Sequence, residues 1–368
     1  MIPLCRPAIG QDEFKKIQEV LASGWLTHGP YNEEFEELFS KYIGVNHAQT
    51  INSCASALFI VLKALNITGE VIIPSFTFVA TAHAVVLAGA KPVFADIDYT
   101  SGNITAQTIE PLITDKTEAI MPVHFAGQSC KMDEIAELCQ KHKLALIEDS
   151  AEAIGATFNN KKTGSFGIGC FSFFPTKNMT TGEGGMVTTN DQSLAHKIKI
   201  LISHGIDKTT NTKFNWQREA VMAGYNLRMS GILAGLGIVQ IKKIDEMNNK
   251  RREHAKYLSA NLSEGIEVPI ETANCHHVYQ MYTIKVNPKI RNELVEELKK
   301  NGIGASVHFS PAVHQQEYYK DYNHQNLPNT EKLSESIITL PMFPDLTRND
   351  LDYIINQTNE IYKKLNNN

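Results

Sequence analysis

From Asn52 onward the apolar positions alternate between two registers. "ASALFIVLKAL" (55–65) spaces its apolar residues as a helix does, and "EVIIP" (70–74) is a short continuous apolar run, as in a buried strand. The alternation continues. "FVATAHAVVLAGA" predicts a helix, "KPVFADID" and "EAIMPVHF" predict strands, "MDEIAELCQKHK" an amphipathic helix, and "LALIEDS" another strand. Strands apolar on both faces, alternating with helices, predict an α/β fold with a largely parallel sheet. Ligands of such sheets sit beyond the C-terminal ends of the strands. That rule marks Asn52 and Ser53, Pro74 and Ser75, His124, Asp149, and the segment from Ser172 to Lys177.

The pattern then changes. "RMSGILAGLGIVQIKKIDEMNNKRREHAKYLSANL" (228–262) predicts a long helix, with a break expected near Gly235–Gly237. The domain boundary is expected inside it, near Ile244. Residues 1–244 then form a large domain and residues 245–368 a smaller α/β domain. In the second part "YQMYTIKV" and "GASVHF" predict strands, while "RNELVEELKK" and "RNDLDYIINQTNEIYKKL" predict helices.

Composition narrows the chemistry. The 368 residues carry a formal net charge of −5, which leaves no electrostatic footprint for nucleic acid. No stretch is long and apolar enough to span a membrane. The start "MIPLCRPAIGQDEFKK" lacks the pattern of a secretory signal. The six cysteines show no metal-type spacing and read as free thiols of a reducing cytoplasm. His124, His308 and His314 are too dispersed to suggest a metal centre, and no metal is expected.

One lysine stands out. "FSFFPTKNMTTGEGG" (171–185) places Lys177 at the end of an oily run. Most lysines are surface residues. One held in a dry pocket gives up its proton more readily, and its free amine forms Schiff bases. Asp149 ends a strand, where a carboxylate either caps the next helix or pairs with a ring nitrogen that must stay protonated, as pyridoxal phosphate requires. "NSCASAL" (52–58) leads from a strand into a helix, an arrangement that suits an ordinary N-cap or a bound anion. Ser172 can add a hydroxyl to the same anion, and Phe78 is either core or a stacking ring. "GSFGIG" (164–169) imitates a dinucleotide fingerprint but precedes a strand instead of following one, so the order is wrong.

These stretches, with "ASGWLTHGPYNEEFEELF", "VHFAGQ", "IEDSAEAIGA", "GYNLRMS", "GIGASVHF" and "LPMFP", run almost end to end. Together they resemble the DegT/DnrJ/EryC1/StrS family of pyridoxal-phosphate sugar aminotransferases. The resemblance implies the type I aminotransferase fold and a homodimer with a shared active site. It implies that Lys177 holds the cofactor, that Asp149 faces its ring nitrogen, and that Phe78 stacks on the ring. Ser53, Cys54, Ala55 and Ser172 would hold the phosphate, and Glu152 would lie beside the ring oxygen. Asn226 and Arg228 would reach the neighbouring subunit's cofactor. Trp25, Thr27 and His308 would lie near a nucleotide-linked sugar. Ala55 replaces the family's usual threonine, Glu152 its common glutamine, and Gly231 and Leu233 a polar pair.

The implied reaction passes an amino group from glutamate to a nucleotide-linked keto sugar. "EDSAEAIGA" and "VYQMYTI" resemble perosamine-type enzymes, which favours a 4-keto-6-deoxy sugar over a 3-keto one. A sugar 3-dehydratase of this family would carry histidine at the lysine position. A non-catalytic binding protein on the same fold would be expected to have lost the lysine.

Overall fold

The computed structural model describes residues 1–207, 214, 216–322 and 325–366. Seven strands form the central sheet. In spatial order they are His47–Ile51, Gly185–Thr189, Ile168–Ser172, Ala145–Asp149, Thr117–Ile120, Glu70–Pro74 and Lys91–Ala95. Gly185–Thr189 is antiparallel to both of its neighbours, and every other pairing is parallel. The sheet is buried on both faces, as the continuous apolar runs predict. Val71 and Ile73 point into one apolar cluster with the helices Cys54–Leu65 and Val79–Ala88, and Ile72 points into another with the helix Met132–His142.

A two-stranded antiparallel sheet, Tyr282–Lys285 with Ile337–Leu340, lies beyond the long helix. It packs with the helices Pro288–Lys300 and Arg348–Asn366 around a core that also takes Ala255 and Leu258 of the long helix. Val313, Tyr319 and Leu327, although late in sequence, belong to the apolar cluster of the large sheet.

Two local expectations fail. The helix Gly231–Asn261 runs through Gly235 and Gly237 without a break. A Cβ at Gly237 would lie 2.4 Å from Phe35 Cε1, and one at Gly235 would lie 2.8 Å from Val20 Cγ2. These glycines are where the helix lets Gln11–Ser23 and Pro30–Ile43 approach closely, so they mark packing and not a hinge. "GASVHF" is not a strand either. Only Ser306 bridges Thr339, exchanging hydrogen bonds of 3.0 and 2.8 Å, and the chain then reaches Pro311, whose nitrogen has no hydrogen to extend a ladder.

Candidate active site

Strand alternation sets the first residues of the site. Phe171 and Phe173 turn into an aromatic cluster with Phe35 and Phe39, so Ser172 between them faces the opposite side. The chain then closes a tight turn: Phe173 N–H donates to the Gly184 carbonyl, Thr181 N–H to the Phe173 carbonyl, and Lys177 N–H to the Phe174 carbonyl, at 3.0, 3.0 and 2.9 Å. The turn lifts the Lys177 side chain, 16 % exposed, into a cavity of about 420 Å³ at the C-terminal ends of the strands. There Lys177 Nζ lies 3.3 Å from Glu152 Oε1. Glu152 Oε2 accepts the Ala126 N–H at 2.9 Å.

Asp149, at the end of its strand, is buried against the same cavity. Its Oδ2 accepts the Thr81 hydroxyl at 2.8 Å, and its Oδ1 accepts the Ala151 N–H at 3.2 Å. Burial raises the Asp149 carboxyl above its ordinary pKa, and the two hydrogen bonds pull the other way. Burial likewise pushes the neighbouring Cys54 thiol well above its usual value, with the Asp149 carboxylate adding to the shift. Burial lowers His308, whose Nδ1 lies 2.8 Å from Thr339 Oγ1.

Ser53 is the N-cap of the helix Cys54–Leu65, its hydroxyl accepting the Ser56 N–H at 3.1 Å. The cap and the anion site are not exclusive, since the first-turn amides of any helix have no partner within the helix. Gly185 backs this turn: a Cβ there would lie 2.6 Å from the Ser53 carbonyl carbon. Phe78, 62 % exposed, stands on the cavity wall at the start of the helix Val79–Ala88.

Ser53, Cys54, Ala55, Phe78, Asp149, Glu152, Ser172, Lys177 and His308 therefore line one cavity. Trp25, Thr27, Asn226 and Arg228 lie outside it. Trp25 Nε1–H donates to the His28 carbonyl at 3.3 Å, and the Trp25 and Thr27 carbonyls crowd Gly231. Asn226 bridges Ser203, and Arg228 Nη2 lies 3.4 Å from His204 Nε2.

Sequence reasoning missed Thr81, Gln280 and the N-terminal residues Leu4 and Cys5, all on the cavity wall. It also missed what "GSFGIG" does. The amides of Gly164, Phe166 and Gly167 donate to Glu148, at 2.8, 2.7 and 2.8 Å. The glycine-rich segment cradles a protein carboxylate, not a phosphate. His124, which the strand-end rule marks, is tied into the same buried network. Its Nδ1 accepts the Cys130 N–H at 3.1 Å, so Nε2 carries the hydrogen that faces Glu148 Oε2 at 3.1 Å.

The residues present suit pyridoxal phosphate. One lysine amine, one desolvated carboxylate for a ring nitrogen, an aromatic face and a helix N-terminus with a hydroxyl nearby converge on one cavity. Among the described residues no group of three or more histidine, cysteine or acidic side chains is arranged to hold a metal, and no helix is long and apolar enough to cross a membrane.

Comparisons with known proteins agree with this geometry. Residues 7–359 match the DegT/DnrJ/EryC1/StrS aminotransferase family. The spore coat polysaccharide biosynthesis protein SpsC of Bacillus subtilis is 38% identical over 379 residues, covering 98% of this chain and 97% of its own. PseC of Helicobacter pylori, an aminotransferase involved in pseudoaminic acid biosynthesis, superposes with a TM-score of 0.93 at 31% identity, covering 99% of each chain. The PMP form of Spr1654 from Streptococcus pneumoniae, described as a sugar aminotransferase, gives a TM-score of 0.94 at 28% identity, covering 99% of this chain and 100% of its own. Enzymes of this type depend on pyridoxal phosphate. With a family match over nearly its whole length and relatives of the same build, the chain belongs to the DegT/DnrJ/EryC1/StrS family and is a sugar aminotransferase.

Proposed function

We propose that this protein transfers the amino group of glutamate to a nucleotide-linked 4-keto-6-deoxy sugar, using pyridoxal phosphate attached to Lys177. The observation that carries this is the meeting of Lys177 Nζ, Glu152 and the buried Asp149 in one cavity at the strand ends. Bound there, the cofactor would carry the amino group between the two substrates and accept electron density from the reacting carbon.

The chain's own residues supply the rest. Asp149, oriented by Thr81, presents a carboxylate that can hold a ring nitrogen in its protonated form. The amides of Cys54 and Ala55 and the Ser172 hydroxyl would hold the phosphate, and Phe78 would cover a ring face. Glu152, beside Lys177, would also lie near the cofactor's ring oxygen. Lys177, once released from the cofactor, moves the proton at the reacting carbon as general base and then acid. Leu4, Met281, Leu340 and Met342 give the cavity an apolar wall that suits a sugar methyl group. Asn226 and Arg228 act in a neighbouring copy's site within a homodimer.

The test is direct. Purified protein with pyridoxal phosphate and glutamate is offered 4-keto-6-deoxy and 3-keto sugars on different nucleotides, and products are read by mass spectrometry. Borohydride reduction is expected to fix the cofactor to Lys177, and Lys177→Ala to abolish turnover. A cofactor fixed to another lysine, or folded protein that aminates none of these sugars, overturns the reading. Amination of 3-keto sugars alone moves the assignment to C3.

A further inference from the structure

Glu152 is braced from a strained turn. Its Oε2 accepts the Ala126 N–H at 2.9 Å, and Ala126 stands in the left-handed region at φ 56°, which alanine rarely adopts. Two hydrogen bonds from a late segment fix that turn. Val278 N–H donates to the Gly127 carbonyl at 3.0 Å, and Met281 N–H donates to the Ala126 carbonyl at 3.3 Å. The approach leaves no room for a side chain at Gly127, where a Cβ would lie 2.9 Å from the Gln280 amide nitrogen. Backbone strain of this kind persists only where its surroundings hold it. Here it aims one amide at one carboxylate oxygen.

The other oxygen faces the lysine. Glu152 Oε1 lies 3.3 Å from Lys177 Nζ, and neither atom has another hydrogen-bond partner among the described residues. Both side chains are largely buried, at 8 % and 16 % exposed. Asp149, three residues earlier, does not compete for the amine, because its oxygens accept from the Thr81 hydroxyl and the Ala151 N–H. Burial disfavours a lone ammonium, and a carboxylate within hydrogen-bond reach favours it. The free amine therefore has one acidic partner, and the backbone sets that partner's position.

We propose that Glu152 is a positioning residue for Lys177: anchored by Ala126, its carboxylate holds the lysine as an ammonium whenever the amine is free of the cofactor, so that a proton Lys177 has taken up stays in the cavity. The proposal rests on the reading of Lys177 as the cofactor-bearing lysine. Asp149, Cys54, Cys5 and His308 also act electrostatically on Lys177 or Glu152, and Glu183 lies on the same wall. The variants below leave all of these in place.

The experiment uses Glu152→Gln and Glu152→Ala in the full-length protein. The acylation rate of Lys177 by acetic anhydride is followed at one pH in cofactor-free protein, by peptide mass spectrometry, with surface lysines of the same sample as the reference. Glutamine keeps an oxygen for the Ala126 N–H but carries no charge, so it separates the ion pair from the bracing. It is expected to speed acylation of Lys177 about 10-fold, the effect of one pKa unit on the share of free amine. Glu152→Ala is expected to speed it at least as much. A purely structural Glu152 would leave acylation in Glu152→Gln at the wild-type rate, and that result overturns the proposal. If Glu152→Gln does not fold, wild-type acylation in Glu152→Ala overturns it. Borohydride mapping of reconstituted samples separates this from failure of the Lys177 assignment, because acylation of Lys177 reports on Glu152 wherever the cofactor attaches.

Discussion

Replacing Glu148 by glutamine changes one atom of a fully buried side chain and should cost the protein much of its stability. The carboxylate accepts four hydrogen bonds. Oε1 takes the Phe166 and Gly167 amides, and Oε2 takes the Gly164 amide and the His124 imidazole. Glutamine turns one oxygen into an NH₂ group, so in either orientation two donors meet a donor. The imidazole cannot adapt by moving its hydrogen, because Nδ1 is already the acceptor for Cys130 N–H. Each buried donor left unsatisfied costs about 1–3 kcal/mol, so the pair costs roughly 2–6 kcal/mol. For a chain of this size that lowers the melting temperature by roughly 3–8 °C. The assay is thermal unfolding of Glu148→Gln beside Glu110→Gln. Glu110 meets Lys141 at 2.7 Å on the surface, and its loss should be barely measurable. A Glu148→Gln protein melting within about 1 °C of wild type would refute the claim that the glycine-rich segment folds around this charge.

Asp149→Asn should abolish turnover yet leave the cofactor-free protein as stable or more so, since Thr81 Oγ1 can accept from the new NH₂ while donating to Thr77 Oγ1, 2.9 Å away. The raised Asp149 pKa means the native state binds that proton more tightly than the unfolded chain. Its contribution is complete below the ordinary carboxyl range and is lost as pH rises through the folded value. Melting against pH should show this slope in wild type and not in Asp149→Asn; identical slopes would contradict it. Gly237→Ala should lower the urea midpoint by an amount equivalent to about 1–3 kcal/mol, because its Cβ would meet the buried Phe35 ring; an unchanged midpoint would mean the helices separate freely. Mixing Lys177→Ala with Asn226→Ala protein should restore activity through hybrid dimers, and a fully active monomer would rule out the shared site.

Much of this was legible in the sequence, for identifiable reasons. The strands are buried on both faces, so their apolar runs are continuous and their ends mark the site; Asp149, Ser172 and Lys177 were found that way. What stayed hidden depends on the partner and not on the residue. Gly235 and Gly237 look like breakers until Val20 and Phe35 are seen against them. "GASVHF" has strand composition, but only Ser306 finds a partner. Glu148 differs from Asp149 by one position, yet the pleat sends the two carboxylates to opposite faces. One meets a ring of amides and the other a cavity. Thr81 and Gln280 act through single hydrogen bonds to groups 68 and 104 positions away, and no local spacing encodes those contacts.

The charge of the cavity bears on assembly. Its wall carries three carboxylates, Asp149, Glu152 and Glu183, against one lysine. His308 adds little positive charge, because burial lowers its pKa. Apart from the ring nitrogen that Asp149 would hold protonated and the amino group of glutamate, what the proposed reaction brings there is anionic: a cofactor phosphate, a nucleotide diphosphate, the carboxylates of glutamate. Lys177 cannot balance them, since it is committed to the cofactor for part of each cycle. Helix amides help with one phosphate but carry only partial charge. A wall this acidic would hold anionic groups better with cations supplied from outside it. Arg228 lies outside the cavity of its own chain, beside the His204 imidazole. Supplied by a second copy, it would bring the missing charge to the phosphate side of the site. A shared active site in the proposed dimer would thus ease the electrostatics of the chemistry, besides being an expectation from kinship.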